Sequence, residues 1–217
     1  MKTSSELRLS ARNALRGNWA KSVIATIVYL VVIGIISALT GTDSTKPATI
    51  LSLSGVSLLV SILVLYPLEL GFDNSFKALY QNGDQNILSN IFSIPREHYS
   101  HYVWGMFLMQ IKIMLWTLLF IIPGIIKSFS YAMTPYILVE HPEMPVAEAI
   151  QVSKRMMKGH KFDLFYLYLT FIGWILLSIL TCGIGFFWLT PYMTTAKAAF
   201  YLDLKASEGV IEATVIG

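Results

Sequence analysis

Charged residues are scarce in this chain. Of its 217 residues, 13% are Asp, Glu, Lys or Arg, whereas 55% are apolar. Soluble proteins carry about 25% charged residues, and a soluble fold of this size could not bury so much apolar surface in one core. The composition therefore excludes an ordinary soluble domain and favours a chain that uses the lipid bilayer as its solvent.

Cysteine and recognisable catalytic motifs are also lacking. Cys182 is the single cysteine, so the chain cannot form an intramolecular disulfide. The His-Glu-x-x-His, phosphate-binding glycine-loop and Gly-x-Ser-x-Gly motifs are absent. His98 and His101 have a spacing that metal sites use, but no third ligand lies near them in the sequence. We therefore expect no catalytic residue, no metal site and no cofactor.

Long apolar stretches recur along the chain. Each approaches the ~20 residues that a helix needs to cross about 30 Å of hydrocarbon. They predict an all-α fold, a polytopic membrane bundle of about six transmembrane helices at residues 20–39, 50–72, 102–122, 125–139, 162–180 and 184–204. Pro123 and Gly124 are expected to form a tight turn between the third and fourth helices. The prediction is one transmembrane domain over residues 1–205, followed by a loose tail at 206–217.

Basic residues are distributed unevenly between the two sides of this bundle. Thirteen lysines and arginines flank one side and two, Lys46 and Lys127, flank the other, while Lys112 falls inside the third apolar stretch. Cytoplasmic loops of membrane proteins carry the excess of lysine and arginine. The asymmetry predicts a multi-pass protein of the cytoplasmic membrane, with its N-terminus and C-terminus in the cytoplasm.

The chain contains a degenerate internal repeat. An amphipathic segment at residues 4–18 aligns with a second one before the fifth apolar stretch when Gly17 is placed on Gly159. We interpret the chain as three units, each an interfacial helix followed by a helical hairpin. The middle unit, with its interfacial piece at 87–92, matches least well. In each unit the second helix of the hairpin is kinked at a proline, and these are Pro67, Pro135 and Pro191.

The three prolines have two interpretations. Each removes a backbone donor and frees the carbonyl four residues earlier, which in hydrocarbon needs another partner. The kinks can simply shape a compact bundle, or they can mark a hinge or a broken-helix site of the kind that transporters use. The sequence leaves both interpretations open.

Three charged residues form a candidate intramembrane polar site: Glu69, Asp73 and Lys112. Glu69 and Asp73 recur every four residues with Lys77, so they lie on one helix face, which is either a cavity wall or simply exposed to water. A central lysine in a membrane helix costs about 2.5–3.5 kcal/mol. We therefore expect Lys112 either to pair with Glu69 or to extend its ammonium to the headgroups.

Both amphipathic segments carry a basic face. Each basic group near anionic lipid contributes about 1 kcal/mol, so we predict that the segments lie along the inner leaflet. The alternative is that they pack against the bundle. No separate basic domain exists, and nucleic acid is not an expected partner. The predicted contacts to anionic lipid are Arg8, Arg12, Arg16, Lys154, Arg155 and Lys158.

Several motifs are similar to those of one family of bacterial membrane proteins. They are Leu15-Arg16-Gly17-Asn18-Trp19, Ile122-Pro123-Gly124-Ile125-Ile126-Lys127, Tyr131-Ala132-Met133-Thr134-Pro135-Tyr136, Ala149-Ile150-x-x-Ser153-x-x-Met156-Met157-Lys158-Gly159-His160 and Leu189-Thr190-Pro191-Tyr192-Met193. Over nearly its whole length, and least at 81–100, the chain resembles the family catalogued as domain of unknown function 975. The resemblance implies a bacterial cytoplasmic-membrane protein and supplies no activity.

Among possible functions, we favour a non-enzymatic envelope scaffold or accessory subunit. It would bind membrane lipids, anionic ones above all, and a protein partner or a second copy of itself. The alternative is a small transporter or channel-like protein with a cytoplasm-facing polar cavity, which the repeat and the kinked helices support. The small number of polar residues in the apolar stretches argues against it. An intramembrane enzyme acting on lipid is the least favoured.

Overall fold

The computed structural model describes residues 2–39, 61–83, 86–93 and 96–208. Within these ranges the secondary structure is helical and contains no strand, which confirms the predicted all-α fold. A π-helical turn at Ser61–Leu65 precedes α3, and a 3-10 turn at Arg96–His98 precedes α5. The helices are α1 (Ser4–Leu15), α2 (Trp19–Leu39), α3 (Tyr66–Asn82), α4 (Ile87–Phe92), α5 (Tyr99–Leu119), α6 (Ile121–Tyr131), α7 (Thr134–Glu140), α8 (Val146–Met156), α9 (Lys161–Leu169), α10 (Ile172–Leu180) and α11 (Phe186–Glu208).

Three helical stretches are long and apolar enough to cross a membrane: Trp19–Ile36, Tyr99–Leu119 and Lys161–Leu180. They coincide with the predicted first, third and fifth membrane helices. The predicted second helix, at 50–72, lies partly outside the described residues. The predicted fourth and sixth membrane helices are not continuous apolar helices. The fourth ends in α7, which has only seven residues, and the second half of α11 carries charged residues. The count of six membrane helices stays a prediction.

The turn after α5 differs from the prediction. It lies at Phe120, whose extended backbone (φ −156°, ψ 138°) separates α5 from α6. Pro123 and Gly124 instead belong to the first turn of α6, where proline is tolerated because the N–H that it lacks has no intrahelical partner. A Cβ atom at Gly124 would lie 2.2 Å from the hydroxyl oxygen of Thr117. Glycine at this position therefore allows α6 to fold back closely on α5.

The predicted fourth and fifth membrane helices are each divided in two. Turns at residues 132–133 and 170–171 separate α6 from α7 and α9 from α10. Other limits shift by a few residues, since α1 ends at Leu15 and α11 continues through Glu208. The first residues of the predicted tail are therefore helical, and residues 209–217 lie outside the described part of the chain.

The three prolines occupy different local structures. Pro67 follows the π-helical turn, Pro135 follows the break before α7, and Pro191 lies inside the continuous α11. The Leu63 carbonyl, four residues before Pro67, accepts a hydrogen bond from the Tyr99 hydroxyl. Two of the prolines therefore coincide with interruptions of regular α-helix, and the third is accommodated within one.

The turns at Gly17 and Gly159 share one backbone conformation. Their φ angles are +87° and +92°, in the left-handed region that favours glycine. Each turn joins an amphipathic helix to a membrane-length stretch, α1 to α2 and α8 to α9. This common geometry supports the predicted repeat of the first and third units.

Both amphipathic helices bury their apolar faces inside the protein. Leu7 and Leu15 of α1, and Ile150 and Met157 in and after α8, are at most 2% exposed. α1 packs mainly on α11 and α3, and α8 packs mainly on α7, α5 and α6. These faces therefore contact the bundle, as in the alternative that the sequence left open, and the basic faces, with Leu9 of α1, remain exposed.

Apolar side chains are exposed in another part of the fold, around the α5–α6 turn and along α10. Leu118, Ile122 and Leu180 are 71–81% exposed. Large apolar patches are rare on soluble monomers. Their position at the ends of membrane-length helices is the arrangement expected where lipid replaces water.

Ser153 of α8 stabilises the break between α6 and α7. Its hydroxyl donates a hydrogen bond to the Ser130 carbonyl at 3.0 Å and accepts one from the Met133 N–H at 3.2 Å. Ser153 is fully buried, so solvent does not compete for these bonds. One side chain thus fixes α8 to the turn that precedes Pro135.

We predict that Ser153→Ala lowers the free energy of unfolding by about 1–3 kcal/mol, because it leaves a buried N–H and a buried carbonyl without a partner. Denaturant unfolding in detergent micelles measures the change. Ser128→Ala is the matched control, since the Ser128 hydroxyl bonds the Ile125 carbonyl of its own helix. An equal loss in both variants would contradict this role of Ser153.

Candidate functional site

The segments that follow the three prolines meet in one group of charged and aromatic residues. Asp73 and Lys197 each lie six residues after a proline, and Glu140 lies five residues after one. The packing of α3 against α7 and α11 brings these positions together. We call the group the charged cluster, and its members are Asp73, Lys77, Tyr136, Glu140, Lys197, Tyr201 and Lys205.

Asp73 and Lys197 form the first ion pair of the cluster. The Lys197 Nζ lies 2.5 Å from the Asp73 Oδ2, and their side chains are 18% and 11% exposed, respectively. The ammonium also lies 5.3 Å from the ring centroid of Tyr136. The Tyr136 ring in turn stacks on that of Tyr201, with 4.8 Å between centroids. Because a lone charge is costly in so enclosed a position, each member of the pair makes burial of the other tolerable.

Glu140 is the centre of the second group. Its Oε1 accepts a hydrogen bond from Lys77 at 3.1 Å, and its Oε2 accepts from Lys205 at 2.6 Å and from the Tyr201 hydroxyl at 2.8 Å. Burial opposes ionisation of Glu140, but the charge of Lys77 and the hydrogen bonds from Lys205 and Tyr201 outweigh it and hold the pKa of Glu140 below its ordinary value of 4.5. Burial lowers the pKa of Lys77, and Glu140 opposes that shift. At neutral pH Glu140 is therefore a carboxylate.

The three residues of the predicted polar site lie in different surroundings. Asp73 is buried and paired. Glu69 is exposed, and its carboxylate forms no hydrogen bond or ion pair with a described residue. Lys112 is half-buried in α5 and likewise has no ion pair within the described ranges. The structure thus does not bring Lys112 and Glu69 into contact.

Sequence reasoning missed the partners of Asp73 and Lys77. Lys197 and Lys205 were counted among the flanking basic residues, and Glu140 was not singled out. The signal for one pair was the proline itself, since aligning Pro67 with Pro191 places Asp73 and Lys197 at equivalent positions, whereas Glu140 and its two lysines show no such correspondence. Opposite charges at equivalent positions of a repeat are expected to meet when the repeated helices pack side by side.

Five of the six predicted lipid contacts are exposed. They form no ion pair with a residue that the structure describes. Arg8 differs, because its guanidinium donates to the Thr170 carbonyl at 3.0 Å and lies 5.9 Å from the Phe171 ring centroid. It therefore also fastens α1 to the α9–α10 turn. We call the other five the basic surface: Arg12, Arg16, Lys154, Arg155 and Lys158.

The family model described as "Protein of unknown function (DUF975)" matches residues 118–208. The match confirms the family resemblance for the motifs between Ile122 and Met193. It begins too late to include the motif at 15–19, so a resemblance over nearly the whole chain is not what the match shows. No curated protein and no solved structure matches the chain. The matched residues include Glu140 and Lys197.

We predict that Glu140→Gln lowers the free energy of unfolding by about 3–5 kcal/mol, because it leaves the buried Lys77 ammonium without its carboxylate. Glu143→Gln is the control, since the Glu143 side chain is 88% exposed and its loss should cost less than about 0.5 kcal/mol. If the buried charge is the cause, adding Lys77→Met should recover much of the loss. A double variant no more stable than Glu140→Gln would contradict that cause.

The same contacts predict an acid-sensitive fold. Because the folded-state pKa of Glu140 lies below 4.5, its contribution to stability is present above that pH and is lost as the pH falls through the folded-state value. Unfolding curves of wild type and Glu140→Gln between pH 7 and pH 3 should therefore converge at the acid end. A constant difference across this range would show that Glu140 acts other than through its charge.

Proposed function

We propose that this DUF975 protein is a non-enzymatic, multi-pass protein of the bacterial cytoplasmic membrane that acts as an envelope scaffold or accessory subunit. The observation that carries the proposal is the division of its charges. Each carboxylate of the charged cluster is paired with at least one lysine, whereas the basic surface is exposed and has no ion-paired acidic partner in the described ranges. Neutralised groups stabilise a core, and exposed ones are available for binding.

The membrane placement is supported by length, composition and exposure together. Three membrane-length stretches carry exposed apolar side chains. Two of them, in α2 and in α9–α10, follow directly after the basic helices α1 and α8. The excess of lysine and arginine marks the cytoplasmic side. α1, α8 and both termini accordingly face the cytoplasm, and the turn after α10 faces the opposite side.

Anionic lipid is the ligand that the basic surface fits best. Each cation beside an anionic bilayer contributes about 1 kcal/mol. Leu7 and Leu15 of α1 and Ile150 of α8 are buried in the bundle, so these cations are held on fixed helices instead of a flexible tail. A protein partner with an acidic surface, or a second copy of the chain, would meet the same face beside the lipid.

A small transporter or channel-like protein is the second candidate. The turns at 132–133 and 170–171 favour it, since transporters build substrate sites where membrane helices are interrupted. The Tyr136 hydroxyl, in the charged cluster, is also buried without a hydrogen-bond partner among the described residues. Solute flux in proteoliposomes that Asp73→Asn abolishes, in a folded protein, would favour transport over the scaffold.

Cys182 provides a test of orientation, because it is the only cysteine and is exposed in the turn after α10. We predict that a membrane-impermeant maleimide labels it in intact cells or right-side-out vesicles. With Cys182→Ser as background, Asn13→Cys on α1 should react only after permeabilisation. The reverse pattern would place the basic helices outside the cell and overturn the proposed topology.

We predict that replacing Lys154, Arg155 and Lys158 together by glutamine weakens binding of phosphatidylglycerol about a hundredfold and reduces its salt dependence. Thermal stabilisation of the protein by added lipid, in a neutral detergent, measures the apparent Kd. Lys112→Gln is the control, since Lys112 lies on α5, outside the basic surface, and forms no ion pair with a described residue. Equal wild-type affinity for phosphatidylglycerol and phosphatidylcholine would refute the lipid assignment.

A further inference from the structure

A groove of about 500 Å³ lies between α1, α10 and α11. Pockets for small ligands typically measure ~300–1,000 Å³ and combine apolar walls with a few polar groups. Arg8 and Arg12 provide the charge in this groove, and none of its lining residues is acidic. The walls are mainly aromatic and aliphatic, formed by Trp19, Trp174, Leu177, Trp188 and Leu189.

Arg8 has an unused donor beside this groove. Its Nη1 donates to the Thr170 carbonyl, and its own backbone carbonyl accepts a hydrogen bond from the Tyr192 hydroxyl at 3.2 Å. These contacts fix the side chain at the groove wall. The Arg8 Nε is buried and has no hydrogen-bond partner in the described ranges. A buried donor of a charged group favours an acceptor, and an anionic oxygen above all.

Arg12 extends the positive charge into a neighbouring groove. That second groove, of about 460 Å³, is lined by Leu9, Arg12, Asn13, Arg16 and Trp19, again without an acidic residue. The two grooves share Arg12 and Trp19. Arg8 and Arg12 of α1, with Arg16 directly after it, thus border one continuous positive region. A ligand with a negative head and a long apolar part would match both its charge and its walls.

We propose that the groove between α1, α10 and α11 binds one molecule of an anionic phospholipid. Its phosphate lies at Arg8 and Arg12, where guanidinium groups match phosphate oxygens in a bidentate geometry. An acyl chain lies along Trp174, Leu177 and Trp188. Free phosphate would leave these apolar walls without a partner. The assignment rests on the membrane placement proposed above, but it defines a discrete site that the cations of α8 do not share.

The tryptophans make the site measurable. Three of the five line the groove, and the other two, Trp104 and Trp116, lie on α5. In a Trp104→Phe/Trp116→Phe protein reconstituted in phosphatidylcholine, we expect brominated phosphatidylglycerol to quench the fluorescence at about one tenth of the mole fraction that brominated phosphatidylcholine requires. Equal quenching by the two lipids would show contact with bulk lipid alone and would overturn the site.

Arg12→Gln is the informative variant, because Arg12 is exposed and forms no ion pair with a described residue. It should abolish the preference for phosphatidylglycerol while leaving the unfolding midpoint unchanged. Lys154→Gln, the matched control on α8, should retain the preference. A preference that persists in Arg12→Gln would overturn the proposal, as would loss of quenching on addition of millimolar inorganic phosphate, which would identify a free-phosphate site.

The two proposals fail in different ways. If the basic surface binds lipid but the tryptophans show no headgroup preference, the groove assignment is wrong and the proposed function stands. If the groove preference is intact while the Lys154, Arg155 and Lys158 variant binds phosphatidylglycerol normally, the surface assignment is wrong and the groove stands. If neither responds to the headgroup, both are wrong.

Discussion

The carboxylate of Glu140 connects three helices, α3, α7 and α11. Glu140 binds lysines from α3 and α11 as well as a tyrosine hydroxyl from α11, so its own short helix is fixed between two longer ones. Charges buried to this degree are tolerated only when each has its partner. The relative positions of α3, α7 and α11 are therefore specified by electrostatics and not only by apolar packing, which is non-directional.

The prolines and the charged cluster belong to one arrangement. A proline interrupts regular hydrogen bonding and lets the chain change direction, and in this fold the residues about one and a half turns later carry the charges that meet. In the described residues, the ion pairs of the charged cluster all involve residues that follow one of the three prolines in the chain. Within the described residues, the predicted fourth and sixth membrane helices accordingly contain no continuous apolar stretch of membrane length.

Much of the fold could be predicted from the sequence, because apolar length and Gly-centred turns are local signals. The limits of α2 and the correspondence of Gly17 with Gly159 are of this kind. The break between α5 and α6 at Phe120 was not predicted, because Pro123-Gly124 is the stronger local turn signal. The close approach of Gly124 to Thr117 has no signal in the sequence. The break between α6 and α7 at residues 132–133 is stabilised by Ser153, twenty residues later. A local sequence pattern cannot predict a contact with so distant a hydroxyl.

The candidate site was only partly predictable for the same reason. Asp73 was identified because charge is conspicuous near an apolar stretch, but its partner Lys197 lies 124 residues later. Glu69 and Lys112 had the same local signal, but neither forms an ion pair with a residue that the structure describes. Whether a charge in such a chain is neutralised depends on which helix packs beside it, and that information is held by the repeat and not by the neighbouring residues.

The long-range hydrogen bonds of α1 have a consequence for folding during synthesis of the chain. Arg8 donates a hydrogen bond to the carbonyl of Thr170, and the backbone N–H of Lys2 donates one to Asp203. The residues that hold α1 in place therefore belong to the last third of the chain. At about 5–20 residues per second, synthesis separates the two by on the order of ten seconds or more. During that interval the protein surface that will bury the apolar face of α1 is not yet complete. The nearby bilayer is the apolar environment available to that face. We therefore expect α1 to contact lipid before it docks on the bundle.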